Sequence, residues 1–273
     1  MIKLALPAGD ARPALAQLLA AAGLLVEGYA EGSRSYRLPL SGHEQVKVRV
    51  FRERDIPIQV ALGNYDLGIC NIAWIDEMRA RWPGQPVVPL ADLGIEPGSL
   101  FAATAASWSS DGLAALGAVP LVRLASEYPN LTEAFACALR LPRYRVQPVW
   151  GAAEAYPPED ADCVLVCMRD EEAVHAGGLR PVFHLRGTSL WLIANEGALA
   201  GKDLGVVLGP LLRVGATGKA VDGVRLPAPV PATTTVAPTP RRTSLRMAVP
   251  DGHQKPHVVE ALAQAGITFA GYD

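Results

Sequence analysis

The sequence predicts an α/β protein. Segments of strand character alternate with segments of helical period along most of the chain, and this alternation marks the class. Several strand runs are apolar on both faces, among them VLVC at Val164–Cys167 and LWLIA at Leu190–Ala194, which suits sheet centres covered by helices on two sides. Half of the 273 residues are apolar, so a sizeable core can be built.

IKLALP at Ile2–Pro7 reads as the first strand, and a helical pattern follows over Pro13–Ala22. VKVRVF at 46–51 and YDLGIC at 65–70 are the next strands, with a helix over Asn71–Arg81. LFAATA at 100–105 and PLVRLAS at 120–126 continue the strand series, and Leu131–Leu139 is helical, with Asn130 read as its cap. YRVQPVW at 144–150, DCVLVC at 162–167 and SLWLIAN at 189–195 are further strands, with a short helix at Glu171–His175.

A formal charge of −2 and a pI near 6.2, with arginines scattered singly or in pairs, exclude a cationic face for duplex nucleic acid. Anionic small molecules remain open through local sites. Cys70, Cys137, Cys163 and Cys167 form no CxxC pair, so they are read as reduced core residues of a cytoplasmic protein rather than zinc ligands. The five histidines form no triad and no metal pair. Leu15–Val26 is apolar but interrupted by Gln17, and no apolar run approaches the roughly 20 residues of a membrane span.

That opening segment recurs. Residues 245–273 align with 2–30 at a constant offset of 243, with identities at Ala5, Pro7, Gly9, Pro13, Leu19, Ala20, Ala22, Gly23, Gly28 and Tyr29. Residues 245–273 are therefore read as the truncated start of a second copy. Residues 216–244, with LPAPVPATTTVAPTPRRTS, are read as an extended linker. GATGKA inside it lacks the spacing and the hydroxyl residue of a Walker loop.

Several segments carry a more specific signal in their order: LALPAG at the start, FRERDIPIQVALGNYDLGICN at 51–71, PLADLGIEPG at 89–98, LASEYPNLTEAFA at 124–136, WGAAEA at 150–155 and SLWLIAN at 189–195. Together they resemble the catalytic part of ATP phosphoribosyltransferase over about residues 1–212. The resemblance implies two lobes arranged as in type II periplasmic binding proteins, with 1–97 plus 184–215 as lobe I and 98–183 as lobe II. It implies that ATP, or AMP, and phosphoribosyl pyrophosphate meet with Mg2+ in the cleft between them, in the first step of histidine biosynthesis. The expected partner is another copy of the chain or a second family-like copy.

Arg52, Asp55, Asp66, Gly68, Tyr128, Asn130, Leu131 and Glu154 match the family pattern and, with Asn71, are the candidate substrate residues. Each also has a structural reading: Arg52 and Asp55 as a surface pair, Gly68 as a close-packing position, Tyr128-Pro129 as a turn. Glu154, beside Trp150, could orient a ribose hydroxyl.

The phosphate junction departs from the family. The acidic strand-end position falls on Val166, and the family's Thr-Gly-x-Thr falls on Asp170, Glu171, Glu172 and Ala173. Three carboxylates replace a cradle that needs small residues, free amides and hydroxyls. One reading is a self-capped helix that excludes phosphate; another is carboxylates bridging to substrate through magnesium. The first loop, LPAGDA, likewise has Ala8 and Asp10 where the family carries basic residues. Three functional readings follow: a transferase with altered phosphate contacts, a non-catalytic regulatory or ligand-binding half of a tandem protein, and a cytoplasmic two-lobe small-molecule sensor.

Overall fold

A computed structural model describes residues 1–30, 32–33, 35–108, 112–215, 221–230, 247–250 and 252–272. The chain divides into two units, 1–236 and 237–273. The first contains β1 (Ile2–Pro7), α1 (Arg12–Ala21), β2 (Arg37–Leu38), β3 (Val46–Phe51), α2 (Ile56–Ala61), β4 (Leu67–Asn71), α3 (Ile72–Arg81) and β5 (Val87–Asp92). Next come β6 (Gly98–Ala105), α4 (Leu113–Gly117), β7 (Val122–Ser126), α5 (Pro129–Ala138), β8 (Tyr144–Pro148), β9 (Cys163–Met168), α6 (Glu171–Ala176) and β10 (Leu179–Thr188). β11 (Leu190–Asn195), α7 (Glu196–Gly201) and α8 (Gly205–Gly215) end that unit's regular structure, and α9 (Lys255–Gln264) lies in the second unit.

Two mixed sheets form the expected two-lobe α/β architecture. The first has the order β2-β3-β1-β4-β11-β5 and the second β10-β6-β9-β7-β8. β1 runs parallel to β3 and β4, and β7 runs parallel to β8 and β9. Successive side chains of a strand point to opposite faces. Leu190 and Leu192 therefore join α1 and α8 on one face of the first sheet, while Trp191 and Ile193 join α2 and α3 on the other. In the second sheet Cys163 and Leu165 pack on one side, Val164 and Val166 on the other. Both sheets are covered on both faces, which is why these runs lack polar residues.

The chain leaves the first sheet after β5 and returns through β11. β10 stays in the second sheet as far as Thr188, so the return falls between Thr188 and Leu190 rather than at 184. Strands β5 and β10 lacked a clear pattern because they are edges: β5 carries Pro89, and β10 carries Pro181 and two register shifts. Proline and bulges are tolerated at edges, where one side of the strand makes no ladder.

The described part of the expected linker, 221–230, has no helix or strand but is held along the second lobe. Arg225 N donates to Leu185 O at 2.8 Å and Val230 N to Leu139 O at 3.0 Å. The GATGKA loop beyond Gly215 and linker residues 231–244 lie outside the described residues. Among the described residues no helix is long and apolar enough to cross a membrane.

Candidate active site

The parallel strands of both lobes deliver their C-terminal ends to one cleft, the usual ligand position in open α/β sheets. Its volume is about 580 Å³. Lobe I lines it with Asp10 after β1, Arg52, Glu53 and Arg54 after β3, Asn71 and Trp74 at the start of α3, and Glu96 before β6. Lobe II supplies Glu127 and Tyr128 after β7, Trp150 after β8, and Cys167 near the end of β9.

Two aromatic contacts cross the cleft. The rings of Trp74 and Tyr128 lie 4.4 Å apart, and the Arg54 guanidinium sits 4.2 Å from the centre of the Trp150 ring. Trp150 is otherwise 73% exposed, so this cation–π contact marks the mouth rather than the floor.

Carboxylates outnumber cations here: Asp10, Glu53, Glu96 and Glu127 face Arg52 and Arg54. Burial pushes the Glu53 carboxyl up to about 7, and Glu96 and Glu127 push it the same way, against the opposing hydrogen bond from Asn71. Asn71 N donates to Glu53 Oε1 at 2.5 Å, and the Asn71 side chain caps α3 by accepting from Ala73 N at 3.0 Å. Glu96 is raised by burial and by Asp10; Glu127 is raised by burial and Glu154, with Arg54 opposing. Near neutral pH the cleft can therefore hold a proton on Glu53.

The sequence candidates separate into two groups. Arg52, Asn71 and Tyr128 line the cleft. Asp55, Asp66, Gly68, Asn130, Leu131 and Glu154 do not belong to its lining. Asp55 pairs with Arg54 at 3.7 Å, not with Arg52, because the 3-10 turn at Glu53–Asp55 brings the adjacent side chains together. Asp66 is buried before β4, accepting from Lys3 N at 2.9 Å and Lys202 Nζ at 2.7 Å. A Cβ at Gly68 would stand 2.6 Å from Ile56 Cγ2, so this glycine lets α2 lie against β4.

Asn130 does not cap the helix that follows it. The helix α5 begins at Pro129, with Tyr128 at the cap position and no side-chain cap of its own. Its first amides go to Glu77 of α3, in the other lobe. Asn130 N and Nδ2 donate to Glu77 Oε1 at 2.9 and 2.6 Å, and Leu131 N donates to Oε2 at 2.8 Å. The neighbouring Asp76 pairs with Arg186 of β10. One turn of α3 therefore grips the second lobe at two points. Glu77 was missed because its partners lie over 50 residues away in sequence, where no local motif reaches.

At the phosphate junction Val166 is buried among Phe101, Ala125 and Val174. Asp170 caps α6, with Oδ1 accepting from Ala173 N at 2.8 Å and Oδ2 from Arg169 Nε at 2.9 Å. Glu171 and Glu172 are exposed in the first turn. These contacts hold Asp170 below the usual carboxylate range, the Ala173 amide contributing most. Among the described residues no group of three or more His, Cys, Asp or Glu is placed to hold a metal.

The family model described as "HisG: ATP phosphoribosyltransferase" matches residues 52–208. The ATP phosphoribosyltransferase of Prosthecochloris aestuarii is 27% identical over 198 residues, covering 72% of this chain and 64% of that protein. That of Thermosynechococcus vestitus is 26% identical over 196 residues, covering 71% of this chain and 89% of that protein. The chain thus spans about 64% of the length of the first of these relatives. The solved ATP phosphoribosyl transferase (HisG:HisZ) complex from Thermotoga maritima shares the fold, with a TM-score of 0.63 and 18% identity over 78% of this chain and 98% of that one.

Proposed function

Because the chain belongs to the ATP phosphoribosyltransferase family, we propose that it is a non-catalytic member, a ligand-binding or regulatory half that keeps the family's two-lobe cleft without its phosphoribosyl chemistry. The observation that carries this reading is the occupied N-terminus of α6, where Asp170 accepts from the Ala173 amide at 2.8 Å. Phosphoribosyl transfer needs that junction for a sugar phosphate, and it needs cationic or hydrogen-bonding groups for the departing pyrophosphate. Two like charges 4 Å apart at an effective dielectric near 20 repel by about 4 kcal/mol, so one carboxylate facing a phosphate can weaken binding several hundredfold. The cleft adds Asp10, Glu53, Glu96 and Glu127 against two arginines, and its balance favours a neutral or cationic ligand over a polyanion.

The family reaction, ATP with phosphoribosyl pyrophosphate giving phosphoribosyl-ATP in histidine biosynthesis, is on this reading performed by another subunit or copy. The Thermotoga maritima structure is of a HisG:HisZ complex, and an analogous pairing with a second family-like chain is the assembly we expect here. Magnesium is then not required by this chain.

The test is direct. Purified protein incubated with ATP, phosphoribosyl pyrophosphate and Mg2+ forms no phosphoribosyl-ATP, and calorimetry detects no micromolar binding of phosphoribosyl pyrophosphate. Product formation overturns the proposal. So does micromolar binding that Asp170→Ala leaves unimproved, because the junction would then accept phosphate despite its carboxylates.

A further inference from the structure

Strand β3 carries its charges on one face. Val46, Val48 and Val50 are no more than 4% exposed and belong to the core that α1 and α8 cover, so the alternation of a strand turns Lys47 and Arg49 to the opposite side. The neighbouring strands add to them. β1 pairs Lys3 with Lys47, and β2 pairs Arg37 with Arg49. Leu38 joins the same core as Val48, which leaves Arg37 on the side of Arg49. Both pairings set like charges next to one another, an arrangement that costs stability where a pair of opposite charges would add to it.

α2 and α3 cover this face of the sheet over Ala5, Cys70, Trp191 and Ile193. Over β2 and β3 it is hollow instead. Lys3, Arg37, Lys47 and Arg49 line a space of about 1020 Å³ there, against about 580 Å³ for the cleft. Phe51 and Tyr65, whose rings meet edge to face at 5.0 Å, give it an apolar side. Among its described lining residues the one carboxylate is Glu44, and among the described residues none of the four cations enters an ion pair.

Edge protection accounts for little of this. Charges on an edge strand keep a sheet from pairing with another, and β2 is such an edge, but β3 and β1 are second and third in the sheet. Nor is the cluster a sample of the average surface, because the chain as a whole carries a net charge of −2. Four cations gathered in a concave space without matching carboxylates call for an anion from outside.

We propose that this hollow is a binding site for a small polyanion, a compound carrying a di- or triphosphate group. Guanidinium groups meet phosphate oxygens through paired N–H donors, and the lysine ammonium groups add point charges. A bound polyanion also lifts the cost of both like-charge pairs. The size is that of a small-molecule pocket. The site lies on lobe I alone, so it stands whether or not the cleft is catalytic. Phe51 lines the hollow and Arg52 the cleft, so the test has to tell the two apart.

Calorimetry of the full chain with inorganic tripolyphosphate, without Mg2+ and at low salt, is expected to show one site with a Kd of about 0.1 mM, weakening as salt is raised. Arg37→Ala with Arg49→Ala is expected to weaken it at least about tenfold, whereas Arg52→Ala with Arg54→Ala in the cleft leaves it within about twofold. Thermal unfolding gives an independent readout: tripolyphosphate raises the Tm of the wild type and not that of the hollow variant. If the double substitution prevents folding, Lys47→Glu, on an exposed side chain, replaces it with the same expected effect. Titrating the hollow variant with phosphoribosyl pyrophosphate reads the cleft by itself, so this site and the reading of the cleft fail separately. No binding of tripolyphosphate at about 1 mM, binding unchanged in the hollow variants, or binding lost on substitution of Arg52 and Arg54 instead overturns the proposal.

Discussion

Two helices of the second lobe, α5 and α6, each begin with a carboxylate accepting from their first amides. At α6 the carboxylate is local: Asp170 caps its own helix and stays half-exposed. At α5 it comes from the other lobe: Glu77, 7% exposed, takes the amides of Asn130 and Leu131. Helix ends must satisfy their free N–H groups in one way or another. The local solution costs little, because the Asp170 carboxylate stays half-exposed, and on the proposed reading its role is to keep an anion out. The remote solution desolvates a carboxylate, since burial raises Glu77 above its ordinary range against the pull of its hydrogen bonds, and in return it couples the lobes. The contrast separates exclusion from coupling, and substitutions can break each by itself.

The largest effect is expected from Glu77→Ala. It leaves the amides of Asn130 and Leu131 without their charged acceptor in a buried place, at a cost of about 4 kcal/mol in unfolding free energy. Urea denaturation measures it. Because Glu77 also couples the lobes, the variant is expected in addition to split the transition into two, one for each sheet, and a single transition with a loss below about 1 kcal/mol would show α5 to be indifferent to its remote cap.

Glu53 sharpens the comparison from the cleft side, because it is a half-buried carboxyl that accepts the amide of Asn71, the residue capping α3. Its folded pKa of about 7 lies above the ordinary 4.5. The native state therefore holds the proton more tightly, and stability falls as pH rises between those two values and is flat outside them. The span corresponds to about 3 kcal/mol at most. Glu53→Gln is expected to match the wild type near pH 4, to exceed it by up to that amount at pH 8, and to flatten the profile between. Parallel profiles for the two proteins, measured by thermal unfolding across that range, would place the charge repulsion of the cleft elsewhere.

Much of the fold was legible because its signals are local. Val164, Val166, Leu190 and Leu192 are apolar on whichever face they point to, and Pro13 and Asn71 stand where helices start. The edge strands β5 and β10 escaped because Pro89, Pro181 and Arg186 break the alternation that burial on one side would impose. The short helix α2, Ile56–Ala61, has a proline in its first turn and too few residues to display a period. At the site, the candidates Arg52, Asn71 and Tyr128 line the cleft, whereas Glu53, Glu96, Glu127, Trp74 and Trp150 became visible only when the two lobes set them opposite one another. Glu77 shows the limit most clearly. A cap donated by a residue of the other lobe leaves no trace in the spacing around the helix it caps.

The smallest effect belongs to Asp170→Ala, and its smallness is what the comparison requires. The variant loses a capping bond to Ala173 N and an exposed pair with Arg169, both of which water replaces readily. A fall in Tm of no more than about 4 °C is expected at pH 7. The sign with pH is opposite to that of Glu53. The Asp170 pKa is lowered on folding from 3.8, so its contribution is complete above that value and is lost as pH falls below it. The difference between wild type and variant should accordingly vanish in acid. A loss as large as that of Glu77→Ala, or one that persists at low pH, would mean that the α6 end supports the lobe rather than merely denying it an anion.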